Sequence, residues 1–275
     1  DLAWSLKQIE LNGPEAFYEG PIAQKLLTFM KKEKGLITDQ DLKQYTAKIR
    51  APIHGTYRGY DIYAMPPPSS GGIHLIQLLN ILETKDIDTM GHNTAETLHH
   101  MVEAMKIAYA DRSKYLGDPD FVSIPQEQLT DKTYAKRIAK SINSNKARPS
   151  TAIQPGQFGQ FLDSDETTHF SVMDKYGNIV SNTYTLNFSF GSRITVPGTG
   201  ILLNNQMDDF SAKPGVPNAY GLIGGESNKI EPEKRMLSSM TPTIILKDNQ
   251  PFMATGSPGG SRIITTVLQV IMNVI

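Results

Sequence analysis

Three groups of residues in this sequence have types and spacing that could support nucleophilic chemistry. A polar segment ends at Thr167-Thr168-His169, where the chain turns strand-like. A Ser257-Pro258-Gly259-Gly260 turn precedes an apolar run with helical spacing, and between the two lies a scatter of small polar and acidic side chains. A hydroxyl becomes a nucleophile when a base lies within hydrogen-bond reach, and backbone N–H groups at a glycine turn can hold a developing oxyanion. Taken singly, each group also has an ordinary reading. Paired threonines open many strands, and Gly-Gly commonly joins a strand to a helix. His169 is an available base, but two positions along a strand it need not reach the Thr167 hydroxyl, and it reads as a packing or supporting histidine. His99 and His100 point about 100° apart on a helix with no third ligand at metal spacing, so no metal site is expected.

These residues need elements to position them. Leu2, Leu6 and Ile9 repeat at helical spacing, and residues 1 to 50 read as short helices, with Gly13 and Gly35 as stops and Thr38 with Asp41 as a cap. Pro52 to Tyr57 and Tyr60 to Ala64 alternate about Arg58-Gly59 as a hairpin, followed by the rigid loop Pro66 to Gly72 and a helix from near Ile73. Further helices are expected at Thr94 to Tyr115 and Asp131 to Ile142. The segment 148–166 is polar and aperiodic, a loop or linker. Thr168 to Met173 and Ile179 to Phe190 then read as strand-rich about a turn at 174–178. A second hairpin, Thr243 to Leu246 with Phe252 to Thr255, leads to the final helix. Hairpins with helices grouped before and after them argue for antiparallel sheets covered by helices.

Composition narrows the partners. With 27 basic and 28 acidic residues the formal net charge is -1, which gives a phosphate backbone or an anionic membrane little to attract. The basic stretch from Lys136 to Arg148 carries Ile138, Ala139 and Ile142 at helical spacing and reads as a solvated helix face. Zero cysteines exclude disulfides, thiolate catalysis and cysteine-ligated metal. No apolar run has the length of a membrane span. Both ends read as cut, since the chain opens directly on a helical pattern and closes on one without a stop signal.

The strings TTHFSVMDKYGN, LLNNQMDDFSAKPGVPN, LSSMTPTIILKD and TGSPGGSRIITTVLQV, with MPPPSSGG and YADRSKYLGDPDF upstream, span the chain. Through them the sequence resembles gamma-glutamyltranspeptidases. The resemblance implies an α+β chain folded as the four-layer αββα sandwich of N-terminal-nucleophile hydrolases. It also implies a precursor cut between Glu166 and Thr167. Residues 1–166 would be the C-terminal part of the large subunit, ending in a flexible linker, and 167–275 the N-terminal part of the small subunit. The two would form one catalytic domain of a heterodimer.

Residue roles follow from the same resemblance. The Thr167 hydroxyl would attack the Glu166 carbonyl, and the amine freed by cleavage, with an ordinary pKa of about 7.7 to 8.0, would serve as its base. Thr185 would orient it, and Gly259 and Gly260 would form the oxyanion pair. Asn187, Gln206 and Asp209 would hold the amino end of a glutamyl head, and Ser238 and Ser239 its α-carboxylate. Tyr220, in a lid spanning 214–225, would hydrogen-bond Asn187. The implied reaction moves gamma-glutamyl groups from glutathione or related amides to water, amino acids or peptides, with no cofactor, in a periplasmic or secreted setting. An arginine upstream of Asp1 is expected to complete the carboxylate pocket, because Arg112, Arg193, Arg235 and Arg262 fall in no motif matching that role. The rival readings are a relative acting on cephalosporin side chains or poly-gamma-glutamate, and a non-catalytic homologue that binds without turnover.

Overall fold

The computed structural model describes residues 1–155, 167–219 and 221–275; Glu166 and Tyr220 lie outside the described residues. In chain order the first elements are helices α1 (Leu2–Asn12), α2 (Glu15–Tyr18), α3 (Pro21–Glu33) and α4 (Asp39–Gln44). Strands β1 (Ile53–Tyr57) and β2 (Tyr60–Ala64) are followed by α5 (Gly71–Leu82), α6 (Ile87–Met90), α7 (Ala95–Tyr115), α8 (Gln126–Leu129) and α9 (Lys132–Ser141). Then come β3 (Thr168–Met173), β4 (Ile179–Tyr184), β5 (Thr195–Val196), β6 (Ile201–Leu202), β7 (Thr243–Lys247), β8 (Gln250–Thr255) and α10 (Ile263–Val274). The chain divides into two compact units, one of residues 1–50 with 186–205, the other of 51–185 with 206–275. Each unit therefore draws on segments from both sides of position 166.

In the first unit α3 presents Ala23, Leu26 and Met30 to a small core with Leu42 and Val196. The Thr38 hydroxyl and the Asp41 carboxylate cap α4 reciprocally. That arrangement satisfies two N–H groups that no helical carbonyl can reach. The stop expected at Gly35 falls one residue earlier, because Lys34 takes the left-handed position at φ 57° and Gly35 follows it.

In the second unit the four-stranded antiparallel sheet runs β1-β2-β7-β8. The hairpin at Arg58-Gly59 has φ of 49° and 80°, and that at Asp248-Asn249 has 51° and 60°, the left-handed pairs whose twist matches antiparallel strands. Ile62, Ala64 and Ile245 from this sheet join α5, α7, α9 and α10 in one core, and every residue of α5 is buried. Packing Gly55 against Ile76 lets α5 lie close on the sheet: a Cβ at Gly55 would come within 2.6 Å of that side chain. Hairpin β3-β4 packs against β7-β8, with the Ser181 hydroxyl donating to the Thr255 carbonyl and accepting from the Thr243 N–H. Helices, sheet and hairpin give the successive α, β and β layers of the expected sandwich. One boundary differs from the sequence reading. The run from Ile179 to Phe190 stops being strand at Tyr184, so Thr185 and Asn187 lie beyond the strand's end, and Asn187 takes φ 80°.

Candidate active site

The register of β3 on β4 pairs Thr168 with Tyr184 and His169 with Thr183. Continued by one residue beyond the paired strands, it would set Thr167 opposite Thr185. Thr167 and His169 share a face, since alternate residues of an extended chain point the same way. On that face the His169 ring lies on Gly256, where a Cβ would come within 2.2 Å of its Nδ1. Nδ1 is hydrogen-bonded to the Thr183 hydroxyl at 2.8 Å and Nε2 to the Ser171 hydroxyl at 3.0 Å. Burial also lowers its pKa. His169 is therefore a packing residue between β3 and the turn that follows β8, as its position suggested.

That turn is the glycine pair. Gly259 has φ 127° and Gly260 φ 50°, both in the region that favours glycine, and the Arg262 N–H returns to the Gly259 carbonyl at 2.9 Å. A short 3₁₀ turn, Gly260–Arg262, then runs straight into α10, so these amides sit at the positive end of a helix. From α7 the Tyr109 hydroxyl donates to the Ser261 carbonyl and ties the turn down.

The serine pair is zipped to the loop before α5. Ser238 N–H donates to the Pro68 carbonyl at 2.9 Å, and both the N–H and the hydroxyl of Ser70 donate to the Ser238 carbonyl at 2.8 Å. The Ser69 hydroxyl donates to the Met240 carbonyl at 2.7 Å. Glycine is required at 71, where a Cβ would stand 2.3 Å from the Thr241 hydroxyl. Against this seam lies Arg112 of α7, 4% exposed, donating through Nε to the Ser70 hydroxyl at 2.9 Å and through Nη2 to the Ser239 hydroxyl at 3.2 Å. Burial lowers its pKa to about 10, offset in part by Tyr109 and Asp209.

Gln206 and Asp209 open and close a single 3₁₀ turn. Burial pushes the Asp209 carboxyl up to about 7, with the Arg112 charge pulling it down and Asp208 pushing it up. The buried Asn228 fixes this turn relative to the serines, since its amide donates to the Asp209 carbonyl at 2.8 Å and accepts from the Leu237 N–H at 3.0 Å. Asp208 anchors the following segment, its carboxylate accepting from the Ala219 N–H at 2.9 Å and its carbonyl from the Asn218 amide at 3.0 Å. Within 214–225, Gly215 bonds Gly224 and Asn218 bonds Leu222, closing a small loop; the contact expected of Tyr220 lies outside the described residues. Asn187 belongs to the first unit, where it is buried and its amide donates to the Asn205 carbonyl at 3.2 Å.

Of the residues singled out from sequence, the second unit thus positions Thr167, Thr185, Gly259, Gly260, Ser238, Ser239, Gln206 and Asp209 on neighbouring turns and strand ends. The sequence reading missed the supporting set. Along α7 the Ala108 carbonyl meets the His74 ring of α5, Tyr109 donates to the Ser261 carbonyl, Arg112 donates to the Ser239 hydroxyl, and the carbonyls of Ser113 and Lys114 accept from the Gly225 N–H and the Ser227 hydroxyl. Asp118 adds another contact by accepting from the Arg235 N–H at 2.8 Å. The available signal was the polar density of YADRSKYLGDPDF in a helix that otherwise reads as amphipathic.

A threonine beginning a strand, opposed by a second threonine and followed by helix-covered antiparallel sheets, is the arrangement of the N-terminal-nucleophile hydrolases, and the chain has that fold class. The profile described as Gamma-glutamyltranspeptidase matches residues 1–275, and the chain belongs to that family. It is 58% identical over 273 residues to the glutathione hydrolase proenzyme of Escherichia coli (strain K12), covering 99% of this chain and 47% of the relative. Cephalosporin acylase from Bacillus halodurans superposes with a TM-score of 0.81 at 30% identity, covering 99% of this chain and 46% of that one. The gamma-glutamyltranspeptidase of Helicobacter pylori superposes at 0.55 with 47% identity over 56% of this chain and 44% of its own. The chain spans about half the length of the curated relatives it matches. Among the described residues no helix is long and apolar enough to cross a membrane.

Proposed function

We propose that the protein to which this chain belongs is a self-processing gamma-glutamyltranspeptidase acting on glutathione and related gamma-glutamyl amides. The observation that supports the reading is the register pairing Thr168 with Tyr184, which carried one residue further would set Thr167 opposite Thr185, on a strand whose His169 packs on the turn leading to Gly259-Gly260. In this reading the Thr167 hydroxyl attacks the Glu166 carbonyl, the amide C–N bond breaks to leave an ester and free the Thr167 amine, and water then hydrolyses the ester to a Glu166 carboxylate and returns the Thr167 hydroxyl. The same hydroxyl then attacks the gamma-glutamyl carbonyl, its proton passing to the amine, while the amides at Gly259 and Gly260 receive the oxyanion. The departing amine takes the proton. Water or an acceptor amine attacks the gamma-glutamyl ester in the second half-reaction and regenerates the threonine.

A glutamyl head is zwitterionic, and the candidate site has one group of each required kind. Asp209 is an acceptor for the α-ammonium, with Gln206 in the same 3₁₀ turn, and Ser238 and Ser239 are donors for the α-carboxylate. Asn187 and Tyr220 keep the roles the resemblance gives them, as does an upstream arginine. The proenzyme names of the relatives support processing into a heterodimer, and a periplasmic or secreted location is part of the same proposal.

The likeness to a cephalosporin acylase supports a second reading, in which the acyl group is a glutaryl-type side chain without an α-ammonium. Comparing gamma-glutamyl-p-nitroanilide with glutaryl-p-nitroanilide, which lacks only the α-amine, separates the two. Faster capture of the gamma-glutamyl donor is expected. Preference for the glutaryl donor would move the protein to the acylases, and no turnover of either by the complete processed protein would leave a binding homologue.

A further inference from the structure

Arg112 is a buried cation. Among the described residues no carboxylate forms an ion pair with its guanidinium, and its hydrogen bonds go to two neutral hydroxyls. A charge taken out of water is costly unless it is paired or its donors are fully met. An arginine kept for stability alone is expected to lie against a carboxylate. Asp111, its neighbour on α7, is turned the other way, accepting from Gln77 and from the Tyr134 hydroxyl at 2.8 Å. Asp118 accepts from backbone N–H groups. The charge of Arg112 is thus left facing the serine seam and, at longer range, Asp209.

The direction of each hydrogen bond adds a second argument. A serine hydroxyl has one proton and two acceptor positions. By donating to the Ser239 oxygen, Arg112 fills an acceptor position and leaves the hydroxyl proton free, as an incoming carboxylate requires. The Ser70 hydroxyl is fixed the same way, accepting from Arg112 and donating to the Ser238 carbonyl. We propose that Arg112 is a positioning residue for both poles of the glutamyl head, orienting the Ser239 hydroxyl toward the α-carboxylate and supplying the positive charge opposite Asp209. This rests on the gamma-glutamyl reading above. The charged and titratable groups that bear on the pair are Asp208 beside Asp209, and Tyr109 and His74 around Arg112. Burial, with the Arg112 charge adding to it, lowers the His74 pKa to about 4, so His74 stays neutral through the working range and cannot replace that charge.

The test uses the full-length precursor carrying Arg112→Gln and, separately, Arg112→Lys. Three p-nitroanilide donors are compared: gamma-glutamyl, glutaryl without the amine, and 4-aminobutyryl without the carboxylate. With the gamma-glutamyl donor, Arg112→Gln should raise KM about tenfold or more, the scale of one charge-assisted contact, with a smaller change in kcat. The acid limb of kcat/KM should also move to higher pH with the gamma-glutamyl donor, because an Asp209 that has lost its nearby positive charge holds its proton longer. The same limb should stay in place with the glutaryl donor, which has no ammonium for Asp209 to bind. Arg112→Lys keeps the charge and loses the fork, so it should restore the limb but only part of the KM.

An Arg112→Gln enzyme that processes normally, with unchanged KM and an unmoved limb, would reduce Arg112 to a packing residue. If that variant fails to fold, Arg112→Lys decides, because an equal loss on all three donors would overturn the proposal. Wild-type protein that ignores the gamma-glutamyl donor defeats the underlying reading instead, which is a different result from a wild type that works and an Arg112 variant that does not differ from it.

Discussion

At the scale of single residues, the chemistry assigned to this site depends on one hydroxyl and one carboxylate. Thr167→Ala removes the group that both cleaves the precursor and accepts the acyl chain. The expected product is a single uncleaved band on a denaturing gel with no transferase activity, whereas Thr167→Ser retains part of both because a primary hydroxyl can still attack. Normal subunits from the alanine variant would remove Thr167 from the mechanism. Asp209 makes a pH-dependent prediction. Its carboxyl titrates near 7 in the free protein because burial disfavours the charge more than Arg112 restores it. The ammonium of a donor needs the ionised form, so kcat/KM should fall as pH drops through about 7. Asp209→Asn should lose that contribution to the limb and raise donor KM by about ten- to a hundredfold, the worth of a charge-assisted hydrogen bond of about 1.5 to 3 kcal/mol. Unaltered KM in Asp209→Asn would mean that the glutamyl amine binds elsewhere.

At the scale of elements, α7 and the loop 226–237 hold the reactive turns at their spacing. Asn228→Ala would leave the Asp209 carbonyl and the Leu237 N–H without their shared partner. A buried polar group left unmatched costs about 1 to 3 kcal/mol. The variant should melt several degrees below wild type and show a raised donor KM, because the Asp209 turn and the serine pair lose a common brace. Wild-type melting and kinetics together would show that the brace is redundant. His74, fully buried between the Ser70 and Ala108 carbonyls, has its pKa lowered from 6.5 to about 4, mainly by burial. The folded state therefore prefers the neutral ring. Stability from this group is fully present above about 6.5 and is lost as pH falls from there toward 4. Asp209 acts in the opposite sense, since its raised pKa makes the fold favour the protonated carboxyl. The informative quantity is accordingly the difference in melting temperature between wild type and His74→Gln, which should narrow as pH is lowered through that window. A constant difference would exclude His74 from the acid response.

At the scale of the whole molecule, neither compact unit is confined to one side of position 166. The first combines residues 1–50 with 186–205, and the second combines 51–185 with 206–275. Cleavage at that point would leave both cores assembled, because each unit draws on both sides of it and strands β1-β2 and β7-β8 share one sheet across it. The processed protein should therefore run as one species by native mass measurement and as two bands on a denaturing gel. Subunits that part under native conditions would contradict this interleaving.

Much of this was legible in the sequence, and the reason differs by feature. The hairpins at Arg58-Gly59 and Asp248-Asn249, the α4 cap at Thr38 and Asp41, and the extent of α7 are local, set by backbone preference and apolar period within a few residues. Thr167, Gly259-Gly260, Asp209 and the serine pair came from the family strings, and their roles belong to the proposed function. The strand reading failed beyond Tyr184 because the Thr, Leu and Phe there fit a strand by propensity, while the chain turns at Asn187 into a separate unit. Lys34 in place of Gly35 at the end of α3 is the same kind of error on a smaller scale. The buried placement of Arg112 was not legible at all. In sequence it is 127 residues from Ser239, and a helical arginine ordinarily faces water. Only the tertiary packing of α7 against the seam of residues 65–72 and 238–241 puts its charge inside, because burial and electrostatics depend on neighbours brought from far along the chain rather than on the residue's own segment.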